Sequence, residues 1–431
     1  VGYKSAYYLS ATLRTDWPSQ LSGPESVNSS FTYPSVGIST ILSEIFNLPK
    51  QISYLKLRAS YANVGLAFSR YLANPTFSWT GTQWSTTYDS YPIKNLKPER
   101  THSYEVGLTA RFLKNFNLDV TLYQTNTTDQ LINSGISPGS GYNTMYIQTG
   151  DVQNRGIEVS LGYDKKWGGF GWNSNFTFST NENKVKKLAG NVTNYDTGET
   201  FSFDHLDMGN LGDVHYLIRE GGTLGDIYSS ADLVRDSDGK IYVDENGEVQ
   251  AVRGIKDINK WTKLGSVFPD ANLAWRNDFS YKGFNLGFLV TARLGGVVFS
   301  RTQATLDYYG VSEASAVARD NGGVIIDGNV LDAYNWYNVV GNSDAIPQYY
   351  TYNATNVRLQ EASIGYTIPR KWLKVCDATV SLVGRNLLMI YKRAPFDPES
   401  VATITDNYYQ GMDYFITPST RNLGFSVRLK F

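Results

Sequence analysis

Three histidines, 40 carboxylates and a dense set of loop aromatics are the side chains here with chemical potential. His102, His205 and His215 have no metal-ligand spacing to one another or to the single cysteine, Cys376, and each reads as a polar wall or loop residue. No Gly-x-Ser-x-Gly nucleophile elbow and no phosphate-binding Gly-rich loop occurs. Spacing alone singles out no carboxylate pair for glycoside hydrolysis. The sequence therefore offers no catalytic residues, and the expectation is a protein that is not an enzyme. One acidic stretch, "VRDSDGKIYVDENGEV", carries Asp236, Asp238 and Asp244 as weak metal candidates. Calcium-loop spacing fails there, because Lys240 takes the fifth position and no helices flank the loop. Its Asp-Gly and Asn-Gly pairs suit tight turns of a hairpin around "KIYVD". The expected cofactor is none, with a structural divalent cation in 236–248 as the one exception to consider.

The aromatics are better binding candidates. "FSWTGTQWSTTYDSY" places Trp79, Trp84 and Tyr88 in one polar loop. "YNWYNVV" adds Trp336, "QYYTY" adds Tyr349 and Tyr350, and "DNYYQGMDYF" adds Tyr408 and Tyr409. Flat rings stack on sugar faces or contact peptide side chains, while neighbouring Asn, Gln and Asp supply hydrogen bonds. The plainer reading is that these rings pack loops together, belt a membrane interface or meet a partner.

The elements that must hold these loops are strands. In "RNLGFSVRLKF" the apolar set Leu423, Phe425, Val427, Leu429 and Phe431 alternates with Asn422, Gly424, Ser426, Arg428 and Lys430. Successive strand side chains point to opposite faces, so one face is oily and the other wet. The same period recurs in "SYEVGLTARFL", "NLDVTLYQ", "GIEVSLGY" and "FNLGFLVTARL", giving about 12 strands in all. Around Asn356 the parity shifts between Leu359 and Ile364, which predicts a bulge. No convincing amphipathic helix intervenes; "LSEIFNL" is a short exception. Wet faces carry Lys56, Arg58, Glu105, Arg111, Asp119, Glu158, Arg385 and Arg428, charges that are costly in a dry core and comfortable in a watery lumen.

Connections alternate between short turns and long polar loops, at roughly 66–100, 125–152, 181–269, 302–354 and 391–420. Outer-membrane β-barrels alternate in this way, with short periplasmic turns and long extracellular loops. The fold class expected is all-β, a transmembrane antiparallel β-barrel over residues 1–431. A soluble sandwich or propeller is the alternative, and predicts more regular loops. Outward Tyr7, Tyr104, Trp172 and Phe431 fit aromatic girdles at the two interfaces. The aromatic share of 14% agrees, whereas a mean hydropathy of −0.32 alone reads as soluble. A net charge of −1 argues against a nucleic-acid partner. One cysteine excludes a disulfide framework. Val1 opens no signal peptide and no Met precedes it, so the chain reads as mature, cleaved or partial.

Several stretches resemble the barrel of TonB-dependent outer-membrane transporters, and within them the SusC/RagA branch. "NLKPERTHSYEVGLTARFLKNFNLDVTLYQTNTTDQL" is similar to a Leu-Lys-Pro-Glu lead-in, a Tyr-Glu-x-Gly strand and a tight turn. "GDVQNRGIEVSLGYDKKWGGFGWNSNFTFSTNENKV" resembles that branch's Asn-x-Gly-Ile-Glu strand and Trp-containing hairpin. "LGSVFPDANLAWRNDFSYKGFNLGFLVTARLGG" is similar to its Gly-x-x-x-Pro-Asp lead-in. "NVRLQEASIGYTIPRKW" and "GRNLLMIYKRAPFDPES" resemble its penultimate strands. Many relatives place an Asp-x-Asn-x-Asp-Gly motif in the longest loop, and this chain departs from it.

The resemblance implies the C-terminal part of a barrel of about 22 strands, the plug domain and TonB box lying outside this chain. It implies outer-membrane import of oligosaccharides, or of oligopeptides, in a Bacteroidota-type Gram-negative bacterium. The partners implied are a SusD-like surface lipoprotein as lid, the TonB complex acting through the plug, the remaining N-terminal barrel and plug segment, outer-membrane lipid, and a second copy in a dimer of SusCD pairs. Phe431 then serves as the barrel's C-terminal assembly signal. The alternative function is a passive porin or adhesin-type barrel without a plug.

Overall fold

Alternating strands must satisfy their backbone groups on both sides, and this chain does so largely by pairing each strand with the next. The computed structural model describes residues 1–72, 77–86, 90–91, 96–135, 144–148, 150–188, 192–193, 200–201, 204–342, 344–402 and 409–431. Twelve long strands form one antiparallel sheet in sequence order. They are β1 (Tyr7–Asp16), β2 (Phe31–Ile41), β3 (Ile52–Leu66), β4 (Glu99–Phe112), β5 (Phe116–Thr128) and β6 (Val152–Trp167). There follow β7 (Phe170–Val185), β8 (Ala271–Tyr281), β9 (Phe284–Leu294), β10 (Asn356–Ile368), β11 (Asp377–Lys392) and β12 (Asn422–Lys430). The predicted bulge is present: Leu289 and Val290 of β9 pair with Glu361 and Leu359 of β10, leaving Gln360 as the extra residue.

Register turns the alternation into two continuous surfaces. Leu57, Leu108, Val120, Val159, Phe178 and Leu273 pair side by side across six strands. One residue along, Arg58, Gly107, Thr121, Glu158, Ser179 and Asn272 do the same on the opposite face. The apolar face is uncovered by protein: Leu382, Leu423 and Phe425 are 65%, 78% and 79% exposed. An uncovered apolar face of that size on an antiparallel wall is what a membrane barrel turns toward hydrocarbon. No described helix is long and apolar enough to cross a membrane.

Short turns gather at one end of the sheet. Lys282 and Gly283 both have positive φ, 46° and 93°, the two-residue hairpin geometry whose twist matches the strands it joins. Beside these turns a chain of rings runs Phe112, Phe116, Tyr163, Trp172 and Phe279, with centroids 5.4, 4.7, 4.9 and 6.1 Å apart. These rings place Trp172, expected in a girdle, within a row that extends over five strands. The sheet is an open wall: β12 pairs only with β11, and the free side of β1 meets only the two-residue strand Gly2–Tyr3.

At the other end, the described residues of connections 186–270, 295–355 and 393–421 fold into one cap with a core of its own, including Val214, Ile227, Phe299, Trp336, Tyr350 and Met412. Here the structure departs from the helix-free expectation. Three two-turn helices, α1 (Arg301–Tyr308), α2 (Glu313–Asp320) and α3 (Ala333–Val340), lie in the cap. Each is N-capped by a side-chain oxygen, from Ser300, Ser312 and Asp332 respectively. "LSEIFNL" forms only a 3₁₀ turn at Leu42–Glu44.

Candidate functional site

The wet face of the wall is organised by ion pairs. Arg58 donates to both Asp119 oxygens at 2.8 and 3.1 Å and to Thr121 at 2.6 Å, reaching across Gly107 of the intervening strand. A Cβ at Gly107 would lie 2.4 Å from the guanidinium, so glycine is what lets the arginine pass. Further round, Arg276 pairs with Asp278 at 2.9 Å and with Glu361 at 3.5 Å, and Arg385 meets Glu361 at 3.3 Å. Both clusters are half-exposed. They make a polar, charge-balanced surface, suited to neutral polar solutes.

The predicted aromatics separate into two groups. Trp79 and Trp84 pair across a small hairpin, Phe77–Trp79 with Trp84–Thr86. Their ring centroids are 5.6 Å apart, and they are 56% and 67% exposed. They form an open indole platform. Tyr409 is exposed as well. Trp336 and Tyr350, by contrast, are 4% and 2% exposed within the cap core. Tyr349 is half-buried, its ring edge-on to Trp336 at 5.1 Å. Burial pushes the Tyr349 and Tyr350 phenols up. These three rings hold the loops together. Tyr88 and Tyr408 lie outside the described residues.

Sequence reasoning singled out Tyr334 of "YNWYNVV" but passed over the exposed set around it. Tyr309, Val311, Val317, Ile325 and Val330 stand out with Tyr334 from the α1–α3 segment. Ile325 and Val330 are cross-strand partners in the hairpin between α2 and α3. The signals that could have found this segment are the caps Ser300, Ser312 and Asp332, each two or three residues ahead of the backbone N–H groups it accepts from.

Asp236, Asp238 and Asp244 lie in two tandem turns. The Asp236 carboxylate accepts from the N–H groups of Asp238 and Lys240, and that of Asp244 from Asn246 and Glu248. Gly239 and Gly247 supply the positive φ. Among the described residues no group of three or more potential ligands is placed to hold a metal ion.

Each histidine has neighbours of its own: His102 with Tyr61, His205 with Asp204, and His215 with Asp207 at 2.8 Å and Ser230 at 3.2 Å. The last has the acid–imidazole–hydroxyl order of a hydrolase triad. Ser230, however, is 2% exposed and donates its proton to Asp213 at 2.8 Å. Asp213 in turn accepts from Gly254 and Arg253, and Arg253 donates to the carbonyls of Ala345 and Val339. The constellation ties two loops of the cap together; it presents no nucleophile to a substrate.

Comparison with known proteins places this geometry. Residues 3–297 match the family described as TonB dependent receptor-like, beta-barrel. TonB-dependent receptor P3 of Formosa agariphila is 25% identical over 481 residues, spanning 100% of this chain and 44% of its own. TonB-dependent receptor SusC of Bacteroides thetaiotaomicron is 25% identical over 433 residues, spanning 94% of this chain and 41% of its own. The chain spans less than half the length of the curated relatives it matches. Among solved structures, the RagAB peptide importer in its closed-closed state superposes with a TM-score of 0.74 at 19% identity, over 100% of this chain and 46% of that one.

Proposed function

We propose a transport function from one premise: the chain belongs to the TonB dependent receptor-like β-barrel family. On this reading it forms part of the barrel of a SusC-like importer in the outer membrane of a Bacteroidota-type bacterium. Its wet face lines the path of the solute, and its cap faces the cell exterior. A SusD-like lipoprotein closes over that cap, and TonB, pulling on a plug contributed outside this chain, opens the path. The energy source is then the inner-membrane proton gradient. The cargo is an oligosaccharide or an oligopeptide. SusC and RagAB, the latter described as a peptide importer, are the relatives that support an import role.

The observation that carries this reading is the cap. Three separate long connections share one hydrophobic core above a polar wall, and the α1–α3 segment leaves an apolar surface facing away from it. A surface of that kind marks an interaction site, and an importer with a lid requires one. The Trp79–Trp84 platform suits sugar faces or apolar peptide side chains. Purification of the native complex in detergent, with mass spectrometry of the copurifying chains, tests the assignment. A surface lipoprotein and a barrel–plug segment are expected; recovery of neither overturns it.

A further inference from the structure

The chain as a whole is charge-balanced, with 39 basic and 40 acidic residues. Its turn end is not. Segments 4–6, 42–51, 113–115, 164–169, 282–283 and 369–377 all lie at that end of the sheet, as the strand pairings fix. Together they carry nine basic side chains against three acidic ones, Glu44, Asp164 and Asp377. Every one of these connections has at least one Lys. The Asp377 carboxylate is already engaged by the Arg370 N–H, and that of Asp164 by Asn173.

Two further observations give the rim a direction. Lys4, Lys114, Lys282 and Lys374 occupy positive-φ positions, where glycine or asparagine is the unstrained choice. Lysine sits there against local backbone preference. Lys4, Lys165 and Lys282 also hold their ammonium groups 5.2–5.3 Å from the ring centres of the exposed Tyr3, Trp167 and Tyr281. At the turn 369–377 Trp372 and Val375, 64% and 61% exposed, are interleaved with Arg370, Lys371 and Lys374. Among the described residues the lysines that form ion pairs, Lys97 and Lys263, belong to the loops at the opposite end.

Unpaired ammonium groups alternating with exposed rings, just beyond an apolar band, match a lipid–water interface whose headgroups are anionic. We propose that this rim binds the phosphate headgroups of anionic phospholipids in the leaflet at the turn end of the barrel. The site is a distributed belt: each turn inserts a ring at the acyl boundary and offers a lysine to a phosphate above it. The proposal rests on the outer-membrane reading given above.

The test uses the full-length protein that contains this chain, reconstituted in phosphatidylcholine vesicles with spin-labelled phosphatidylglycerol or spin-labelled phosphatidylcholine as probe. Electron spin resonance reads the fraction of each label immobilised at the protein surface. Phosphatidylglycerol should be preferred about threefold at low ionic strength, the preference collapsing in high salt as surface attraction is screened. The combined variant Lys114→Gln, Lys282→Gln, Lys371→Gln and Lys374→Gln should lose most of that preference and keep its heat-dependent gel shift. Equal association of the two lipids, or a preference unchanged in the variant, overturns the proposal. Failure of the unaltered protein to insert, read as no heat-dependent shift, instead overturns the membrane reading beneath it.

Discussion

Gly107 and Arg58 show how one missing side chain shapes the polar wall. The guanidinium lies where a Cβ on the next strand would be, and only by crossing there does it reach Asp119 and Thr121. Gly107→Ala should displace the arginine and cost about 1 kcal/mol, the scale of a partly exposed ion pair. Arg58→Gln should cost about the same. In the double variant the two losses should overlap instead of adding, since both remove one interaction. Thermal melting of the folded barrel in detergent measures all three; strict additivity would show that Gly107 has another role.

Asp397, in the loop after β11, gives a pH dependence of fixed sign. Burial alone would raise its carboxyl. Hydrogen bonds from Arg358 at 2.7 Å, Ser419 at 2.7 Å and the Glu399 N–H at 3.0 Å, with the Arg358 charge, outweigh that and hold it below the usual carboxylate range. A carboxylate whose folded value is depressed stabilises fully above its unfolded value and loses that stabilisation as pH falls through the folded one. Hydrogen-exchange protection of residues 393–402 should be flat from about pH 5 upward and fall below about pH 4. Asp397→Asn should remove the acid-sensitive step. It should also weaken the loop at neutral pH by about 2 kcal/mol, the scale of a hydrogen bond to a charged group, because the buried Arg358 keeps only Glu399, at 3.2 Å, as a charged partner.

At the scale of elements, the cap behaves as a small α/β core carried on the wall. Trp336→Ala removes a 4% exposed indole from that core and should cost about 3–5 kcal/mol. Limited proteolysis should then cut 295–355 and 186–270 early, while the strand segments stay resistant. Trp79→Ala, on an exposed platform, should leave proteolysis unchanged and, under the import function proposed above, weaken binding of the oligomer. The contrast explains what was legible in the sequence. Strands showed because a two-residue period survives over ten or more residues, and the bulge at Gln360 showed because it broke that period. Eight-residue helices such as α2 are too short to display a face. Their stability comes from docking in the cap, which no local pattern encodes. The same blindness put Trp336 and Tyr350 beside Trp79 and Trp84 as ligand contacts. All four are aromatics in polar loops, and only the three-dimensional fold separates the buried from the open. The charged turn end was readable residue by residue, but its coherence needed the strand order that brings six turns to one rim.

For the whole molecule, everything rests on which solvent each face of the wall meets. The register places Val380 and Leu382 on the apolar face beside Val427 and Phe425, with Thr379 and Ser381 on the wet face beside Arg428 and Ser426. Three parts of the proposed function depend on that partition: the polar solute path, the aromatic girdle at the turn end, and the cap outside the membrane. The direct measurement is a nitroxide scan along residues 378–383 and 424–429 in the full-length protein reconstituted in lipid. Collision rates are read with oxygen, which concentrates in acyl chains, and with a water-soluble nickel chelate. The structure predicts a strict two-residue alternation, with positions 380, 382, 425 and 427 open to oxygen and 379, 381, 426 and 428 open to nickel. Nickel accessibility at both sets, or at neither, would contradict it.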